Sequence, residues 1–233
     1  MSIKLIAVDM DGTFLSDAKT YNRPRFLAQY QRMREQNIRF VVASGNQYYQ
    51  LISFFPEIAH QIAFVAENGG WVVSGNEDVF NCQLPVHHFN AVVDHLQTLP
   101  NIEIIACGKR SAYTLNRYND ALKTVAAKYY HRLELVDDFN HLDDTILKFG
   151  LNVPDSLIPE IQPKLHAALG DMVTAVATGY GSIDLIIPGV HKANGLRILQ
   201  QRGGSEDPGV VAFGDSGDGS AVLPHAGFGV ALA

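Results

Sequence analysis

The segment Lys4–Thr13 constrains the fold more than any other part of the sequence. It reads K-L-I-A-V-D-M-D-G-T, an apolar run followed by two aspartates that are separated by one residue. Such an unbroken apolar run is typical of a strand that is buried on both faces. Alternation along the strand would direct Asp9 and Asp11 to the same side, and Gly12 provides a tight turn whose N–H groups can meet an anion. Two carboxylates beside a buried strand therefore predict a cation, a shared proton or a catalytic role.

Composition excludes several classes of protein. The chain has 233 residues, 47% of them hydrophobic, which is enough for a well-buried core. Its net charge is −6, and it has no run of Lys and Arg that could neutralise nucleic-acid phosphates. Apolar runs are too short to span a membrane, the first strand begins at once, and only Cys82 and Cys107 are cysteines. We expect a cytoplasmic protein without nucleic-acid or membrane partners, as a monomer or a homodimer.

The predicted secondary structure follows two different patterns along the chain. Strand, loop and helix repeat over the first third, with a helix capped by Asn22, which predicts a parallel sheet with helices on both faces. From about residue 83, short strand-like runs at hairpin spacing favour an antiparallel sheet, with a helix that Pro163 should kink or restart. The predicted fold class is α/β: a parallel-sheet core over 1–82 and 185–233, with an inserted α+β domain over 83–184.

Polar residues follow several of the predicted parallel strands. Besides Asp9 and Asp11, Ser44 follows the second strand, and Asp215 and Asp218 follow the last long one. Ligands of open parallel sheets bind beyond the carboxyl ends of the strands, so we expect these side chains to converge. Lys192, at the start of a predicted helix, would supply a cation. Carboxylates, a hydroxyl and an ammonium group together point to phosphoryl transfer with Mg²⁺.

Four motifs in this order resemble a known family. D-M-D-G-T, V-V-A-S-G-N, H-K-A-N-G and G-D-S-G-D occur in the order and spacing of the haloacid dehalogenase (HAD) superfamily. The whole chain is similar to the Cof-type branch, subfamily IIB, and most similar to the bacterial sugar phosphatases of that branch. The resemblance implies a HAD-like Rossmannoid core with a C2-type cap domain, inserted between the second and third motifs, that selects the substrate.

The resemblance also implies a role for each motif residue. Asp9 would be the nucleophile that forms an aspartyl phosphate, and Asp11 would protonate the leaving group and then accept a proton from water. Mg²⁺ would bind to Asp9, to the main-chain carbonyl of Asp11 and to Asp215. Ser44 and Lys192 would hold the phosphoryl oxygens. The other residues implied in phosphate or substrate binding are Gly12, Gly45, Asn46, Asn194 and Asp218.

The chain departs from the family pattern in two places. The last motif of the family reads G-D-x-x-N-D, whereas Asp218 stands here in place of the Asn and Gly219 in place of the second Asp. Moving a carboxylate by one residue on a turn redirects it, so we expect an effect on metal affinity or rate. The sequence also ends at Ala233, where the family continues through another strand and helix, which predicts an uncovered sheet edge.

These observations favour one function over two alternatives. The expected activity is Mg²⁺-dependent hydrolysis of small phosphorylated sugars, hexose or pentose phosphates, through an aspartyl phosphate. A phosphomutase would instead return the phosphoryl group to a sugar. A third possibility is a sugar-phosphate-binding protein whose catalysis is impaired by the altered last motif.

Overall fold

The chain forms two compact units. A computed structural model describes residues 2–179, 181–203, 209–214 and 228–231. The first unit comprises Met1–Gly45, Leu51–Phe80 and His191–Ala233, and the second comprises Asn46–Gln50 and Asn81–Val190. The first unit contains the predicted core motifs of both chain ends.

The described part of the chain contains both strands and helices. The strands are β1 (Leu5–Val8), β2 (Arg39–Ala43), β3 (Ala63–Ala66), β4 (Trp71–Ser74), β5 (Glu77–Asn81), β6 (Glu103–Gly108), β7 (Ala112–Leu115), β8 (Leu133–Val136), β9 (Ile146–Asn152), β10 (Thr174–Ala177), β11 (Ser182–Ile186), β12 (Val210–Gly214) and β13 (Phe228–Ala231). The helices are α1 (Arg23–Glu35), α2 (Tyr48–Ser53), α3 (Val86–Gln97), α4 (Asp120–Tyr129), α5 (Ile158–Leu169) and α6 (Lys192–Arg202). Within the described ranges, no helix combines the length and the apolar character that crossing a bilayer requires.

The sheet of the first unit places β1 in the middle of its five parallel strands. Its strand order is β13-β12-β1-β2-β3-β4-β5, and β1 pairs in parallel with both β12 and β2. The predicted parallel sheet is confirmed from β13 to β3, while β4 turns back antiparallel to β3. Leu5 and Ala7 are buried, as expected for a central strand. Hence the end of β1 meets the ends of its two parallel neighbours along one edge of the sheet.

Aromatic packing anchors the segment that follows β1. The ring of Phe14 lies 5.0 Å from that of Phe26 on α1 in an edge-on arrangement, and 5.6 Å from that of Phe55. The helix that carries Phe26 begins as predicted, because the Asn22 side chain accepts a hydrogen bond from the N–H of Arg25 at 3.2 Å. The turn between β1 and Phe14 is thus fixed at both ends.

The second unit is built on a separate sheet. Its order is β10-β11-β9-β6-β7-β8, and every pair is antiparallel except β7–β8. The predicted antiparallel sheet is therefore confirmed apart from that pair, which is parallel because α4 returns the chain to the end where β7 began. Helices α3 and α5 contribute Val92, Leu96 and Leu165 to one apolar core with this sheet. The second unit thus has a hydrophobic core of its own.

The prediction that Pro163 restarts the helix is wrong, whereas the alternative of a kink stays a prediction. Helix α5 runs from Ile158 to Leu169 with Pro163 inside it and Pro159 at its start. Proline at position 163 removes a hydrogen bond to the carbonyl of residue 159, in the first turn. The apolar contacts of the helix, which include those of Leu165 and Leu169, keep it continuous across that loss.

The second unit also includes a short segment that the sequence assigned to the core. Residues 46–50 group with 81–190, whereas the predicted insertion covered 83–184. The Gln47 side chain explains this difference. Its amide donates to the carbonyl of Arg132 at 2.8 Å and accepts from the N–H of Arg132 at 3.0 Å. Gln47 is buried, so these two bonds satisfy both ends of its amide group.

A buried ion pair lies in the sheet of the second unit. The Lys148 ammonium on β9 donates to the Asp184 carboxylate on β11 at 3.0 Å. Both residues are buried, so each charge is compensated by the other where water is excluded. Replacing one partner alone would leave a buried charge.

Substituting Gly195 tests how closely α6 packs on the sheet. A Cβ atom at this position would lie 2.5 Å from Cγ1 of Val65 on β3. Although alanine is the better helix former by about 1 kcal/mol, we expect Gly195→Ala to lower the free energy of unfolding by about 1–3 kcal/mol through overpacking. Urea denaturation measures this change. Arg197→Ala, on the exposed side of the same helix, is the control and should stay within about 0.5 kcal/mol. Unchanged stability of Gly195→Ala would contradict the described packing.

Candidate active site

A carboxylate and an ammonium group from distant parts of the sequence meet at the end of β1. The ammonium of Lys192, the first residue of α6, lies 3.4 Å from Oδ2 of Asp9. Their side chains are only 4% and 12% exposed. The other oxygen, Oδ1, accepts a hydrogen bond from the N–H of Met10 at 2.8 Å. Because both charges are largely buried, their attraction is stronger than that of a surface pair.

The chain turns sharply after Asp9. Residues 10–14 form an irregular turn in which Gly12 has φ +75°, a left-handed conformation that glycine adopts readily. The turn is closed by a hydrogen bond from the N–H of Phe14 to the carbonyl of Asp9 at 3.2 Å. As a result Asp11, with extended backbone angles, stands partly exposed two residues after the largely buried side chain of Asp9.

Lys19 is a site residue that sequence reasoning missed. Its ammonium lies 2.8 Å from Oδ1 of Asp11, whose side chain is 26% exposed. The two residues are eight positions apart across a loop, so no helical or strand periodicity predicts that they meet. Lys19 offsets the negative charge of Asp11 next to Asp9.

Ser44 and Gly45 are held against the loop that follows β3. Ser44 is buried, its N–H donates to the carbonyl of Val65 at 2.9 Å, and its carbonyl accepts from the N–H of Asn68 at 3.1 Å. A Cβ at Gly45 would lie 2.7 Å from Oδ1 of Asn68, so only glycine allows this approach. The turn that carries Ser44 is therefore fixed through its backbone. Asn46, also predicted as a phosphate contact, belongs to the second unit.

His191 caps the helix that carries Lys192. Its Nδ1 accepts a hydrogen bond from the N–H of Asn194 at 3.2 Å, and that N–H also approaches the His191 carbonyl at 3.1 Å. Asn194 is half-buried, and its main-chain donor is used by the cap. This cap fixes the first turn of α6, and with it the starting point of the Lys192 side chain.

The described donors fit a hard divalent cation. They are oxygen atoms, the Asp9 carboxylate and the Asp11 main-chain carbonyl, and Mg²⁺ prefers oxygen ligands. The remaining predicted ligand, Asp215, comes directly after β12 in the sequence but lies outside the described residues, as do Asp218 and Gly219. Among the residues that the structure does describe, no cluster of three or more His, Cys, Asp or Glu side chains could hold a metal ion.

The loop Glu67–Gly70 is a second element whose part in the site was not predicted. Asn-Gly is a common turn signal, so the segment E-N-G-G by itself indicates only a turn after the third strand. In the structure Glu67 and Asn68 are buried. The position of Glu67 in the sequence could have indicated a role in the site, because an acidic residue follows a parallel strand here just as it does after β1.

Comparison with known proteins agrees with this arrangement. The family described as haloacid dehalogenase-like hydrolase matches residues 6–233. A relative from Escherichia coli K12, "5-amino-6-(5-phospho-D-ribitylamino)uracil phosphatase YbjI", is 68% identical over 100% of this chain and 86% of its own length. "5-amino-6-(5-phospho-D-ribitylamino)uracil phosphatase YitU" from Bacillus subtilis is 26% identical over 98% of this chain and 86% of its own length.

Solved structures share the fold. The structure of SMU.1108c from Streptococcus mutans UA159 superposes with a TM-score of 0.94 at 30% identity, over 100% of this chain and 88% of that one. The HAD subclass IIB sugar phosphatase BT4131 superposes with a TM-score of 0.82 at 16% identity, over 98% of this chain and 86% of that one. The second likeness concerns the fold alone.

A double-mutant cycle tests the pair of Asp9 and Lys192. Lys192→Met deprives a largely buried carboxylate of its ammonium, so we expect the free energy of unfolding to fall by about 2–3 kcal/mol. Asp9→Asn combined with Lys192→Met should lose less than the sum of the single changes. Urea denaturation in chelator-treated buffer measures all four proteins.

An exposed ion pair provides the matched control for this cycle. Lys164 and Glu160 lie 2.8 Å apart with side chains 63% and 61% exposed. Lys164→Met should therefore change the free energy of unfolding by less than about 1 kcal/mol. If Lys192→Met were as mild as Lys164→Met and the cycle showed no coupling, the described pair would not hold the site together.

Proposed function

The chain belongs to the haloacid dehalogenase-like hydrolase family, and we propose that it is a Mg²⁺-dependent phosphomonoesterase that works through an aspartyl phosphate on Asp9. The observation that carries this proposal is the largely buried Asp9 carboxylate, held between the Lys192 ammonium and the N–H of Met10 at the end of β1. A carboxylate in this position is an oriented nucleophile, and the adjacent ammonium can balance the charge of an incoming phosphate.

In the first step an Asp9 oxygen attacks phosphorus while the bond from phosphorus to the leaving alkoxide oxygen breaks. Asp11 gives its proton to that oxygen, so that an alcohol departs. In the second step water attacks the phosphorus of the aspartyl phosphate, Asp11 takes the proton from that water, and Asp9 is released as a carboxylate with inorganic phosphate. Asp11 is partly exposed, which suits a group that must lose and regain a proton.

Other groups hold the charge of the transferring phosphoryl group. Ser44 and Lys192 would contact its oxygens, and Gly12 leaves backbone N–H groups of the turn close to the anion. Asp9, the Asp11 carbonyl and Asp215 would hold Mg²⁺, which would supply positive charge to the phosphoryl oxygens. Asn46, Asn194 and Asp218 are proposed as further phosphate or substrate contacts.

We further propose a phosphate ester on a linear polyhydroxylated chain as the preferred substrate. The 68% identical relative is named for a substrate with a 5-phospho-D-ribityl group. The resemblance of the motifs predicts hexose and pentose phosphates, which share with that group a phosphate on a hydroxyl-bearing carbon chain. Selection among them would fall to the second unit, which carries most of the predicted cap domain.

Phosphate release from a panel of esters tests this function. We expect release with Mg²⁺ and none with chelator, and the highest kcat/KM for 5-amino-6-(5-phospho-D-ribitylamino)uracil ahead of pentose and hexose phosphates. Asp9→Asn should lower kcat by about 10³-fold or more because the nucleophile is lost. Ser44→Ala should lower it by about 10²–10³-fold because one phosphate-holding donor is lost.

The controls separate the parts of this proposal. Lys164→Met removes an exposed charge on α5 and should leave kcat unchanged. A folded wild-type protein that released no phosphate from any ester would contradict the hydrolase and favour a sugar-phosphate binder. Fastest turnover on a hexose phosphate would contradict only the proposed substrate. Transfer of a labelled phosphoryl group to an added sugar, in place of release, would indicate a phosphomutase.

A further inference from the structure

The loop Glu67–Gly70 contacts both segments that carry the proposed phosphate-holding side chains. On one side, the N–H of Asn68 donates to the carbonyl of Ser44 at 3.1 Å. On the other side, a Cβ at Gly69 would lie 2.2 Å from the carbonyl oxygen of His191, the residue before Lys192. A single short loop thus lies between the Ser44 turn and the first turn of α6.

The backbone of this loop adopts a left-handed conformation that its glutamate does not favour. Glu67, Asn68 and Gly69 have φ values of +53°, +57° and +93°. Glycine and asparagine tolerate the left-handed region, but a glutamate there is unusual. Such a conformation persists only where the surroundings enforce it, and it is found preferentially at functional sites.

The two residues other than glycine with positive φ in this loop are also buried. Glu67 is 2% exposed and Asn68 is 8% exposed. The Asn68 carboxamide packs against Gly45, where a Cβ would lie 2.7 Å from Oδ1. Both side chains are therefore shielded from solvent, unlike those of most loop residues. The loop therefore fills a defined space, and its shape is set by close contacts on both sides.

We propose that Glu67–Gly70 is a positioning loop that sets the separation between Ser44 and Lys192, and that Asn68 is its main positioning residue. This inference rests on the proposed phosphatase function. The loop contacts the backbones of the two phosphate-holding segments, so it acts through Ser44 and Lys192 and not on the substrate. A misplacement of either segment by about 1 Å can lower the rate by about 10²-fold.

Two variants and a matched control test the positioning role. Asn68→Gly keeps the left-handed backbone and removes the side chain at Gly45. Gly69→Ala adds a methyl group against the His191 carbonyl. Gly75→Ala is the control, because Gly75 also has positive φ, at +62°, and its Cβ would also meet a carbonyl oxygen, that of His60 at 3.0 Å. Gly75 follows β4 at the opposite end of the β3–β4 pair from the positioning loop.

The readouts are kcat, KM and the Ki of inorganic phosphate, each corrected for the folded fraction from circular dichroism. We expect kcat to fall about 10-fold for Asn68→Gly and about 10²-fold for Gly69→Ala. The Ki of phosphate should rise in both, and KM should change less than kcat. Gly75→Ala should retain the wild-type kcat and Ki, even where its unfolding midpoint falls.

Each outcome bears on one claim. Wild-type kcat and Ki in folded Asn68→Gly would overturn the positioning role while leaving the phosphatase function intact. Equal losses in Gly75→Ala would overturn it as well, because the effect would then follow from general destabilisation. If Gly69→Ala does not fold, Asn68→Gly alone decides. A wild-type protein without phosphatase activity would overturn the proposed function, and the positioning role with it.

Discussion

The structure depends on keeping one carboxylate largely buried at the end of β1. Removing a carboxylate from water is unfavourable unless a cation and hydrogen-bond donors compensate it. Asp9 receives both, from Lys192 at 3.4 Å and from the N–H of Met10 at 2.8 Å. The partner comes from 183 residues further along the chain, so the two ends of the first unit must fold together before the charge is compensated.

The rest of the first unit supports that pairing. Gly195 lets α6 approach β3 and β4, the His191 cap fixes the first turn of α6, and the positioning loop lies against the same turn. Phe14 anchors the other side of the site within an aromatic cluster. Flexible side chains on mobile loops would not hold two opposite charges in a buried geometry, whereas short backbone contacts of this kind do.

Much of the fold and part of the site could be predicted from the sequence. The apolar run of β1 followed by two aspartates predicts a buried strand that carries a site, and the Asn22 cap marks the start of α1. Local signals of this kind act over a few residues. The parallel β7–β8 pair and the placement of 46–50 depend on contacts between distant segments, such as Gln47 with Arg132, which no periodicity encodes.

The site residues that the sequence did not predict also depend on contacts that no local pattern encodes. Lys19 reaches Asp11 through the course of a loop, and Glu67 is buried in a left-handed conformation that its residue type disfavours. Local propensity points away from that conformation, and tertiary packing overrides it. Pro163 shows the converse, since a residue that breaks helices locally is retained inside α5 because neighbouring apolar contacts stabilise the helix. The roles of Asp215 and Asp218 stay predictions, because both lie outside the described residues.

Exchange of oxygen between water and inorganic phosphate tests the central claim most directly. If Asp9 is the nucleophile, it attacks inorganic phosphate in the reverse of the second step, expelling water and forming the aspartyl phosphate, which then hydrolyses. In heavy-oxygen water with Mg²⁺, the wild-type protein should transfer the label into phosphate, as followed by mass spectrometry, and Asp9→Asn should not. The test needs no knowledge of the organic substrate. Exchange that persisted in Asp9→Asn, or its absence from a wild-type protein that hydrolyses esters, would contradict the assignment of Asp9.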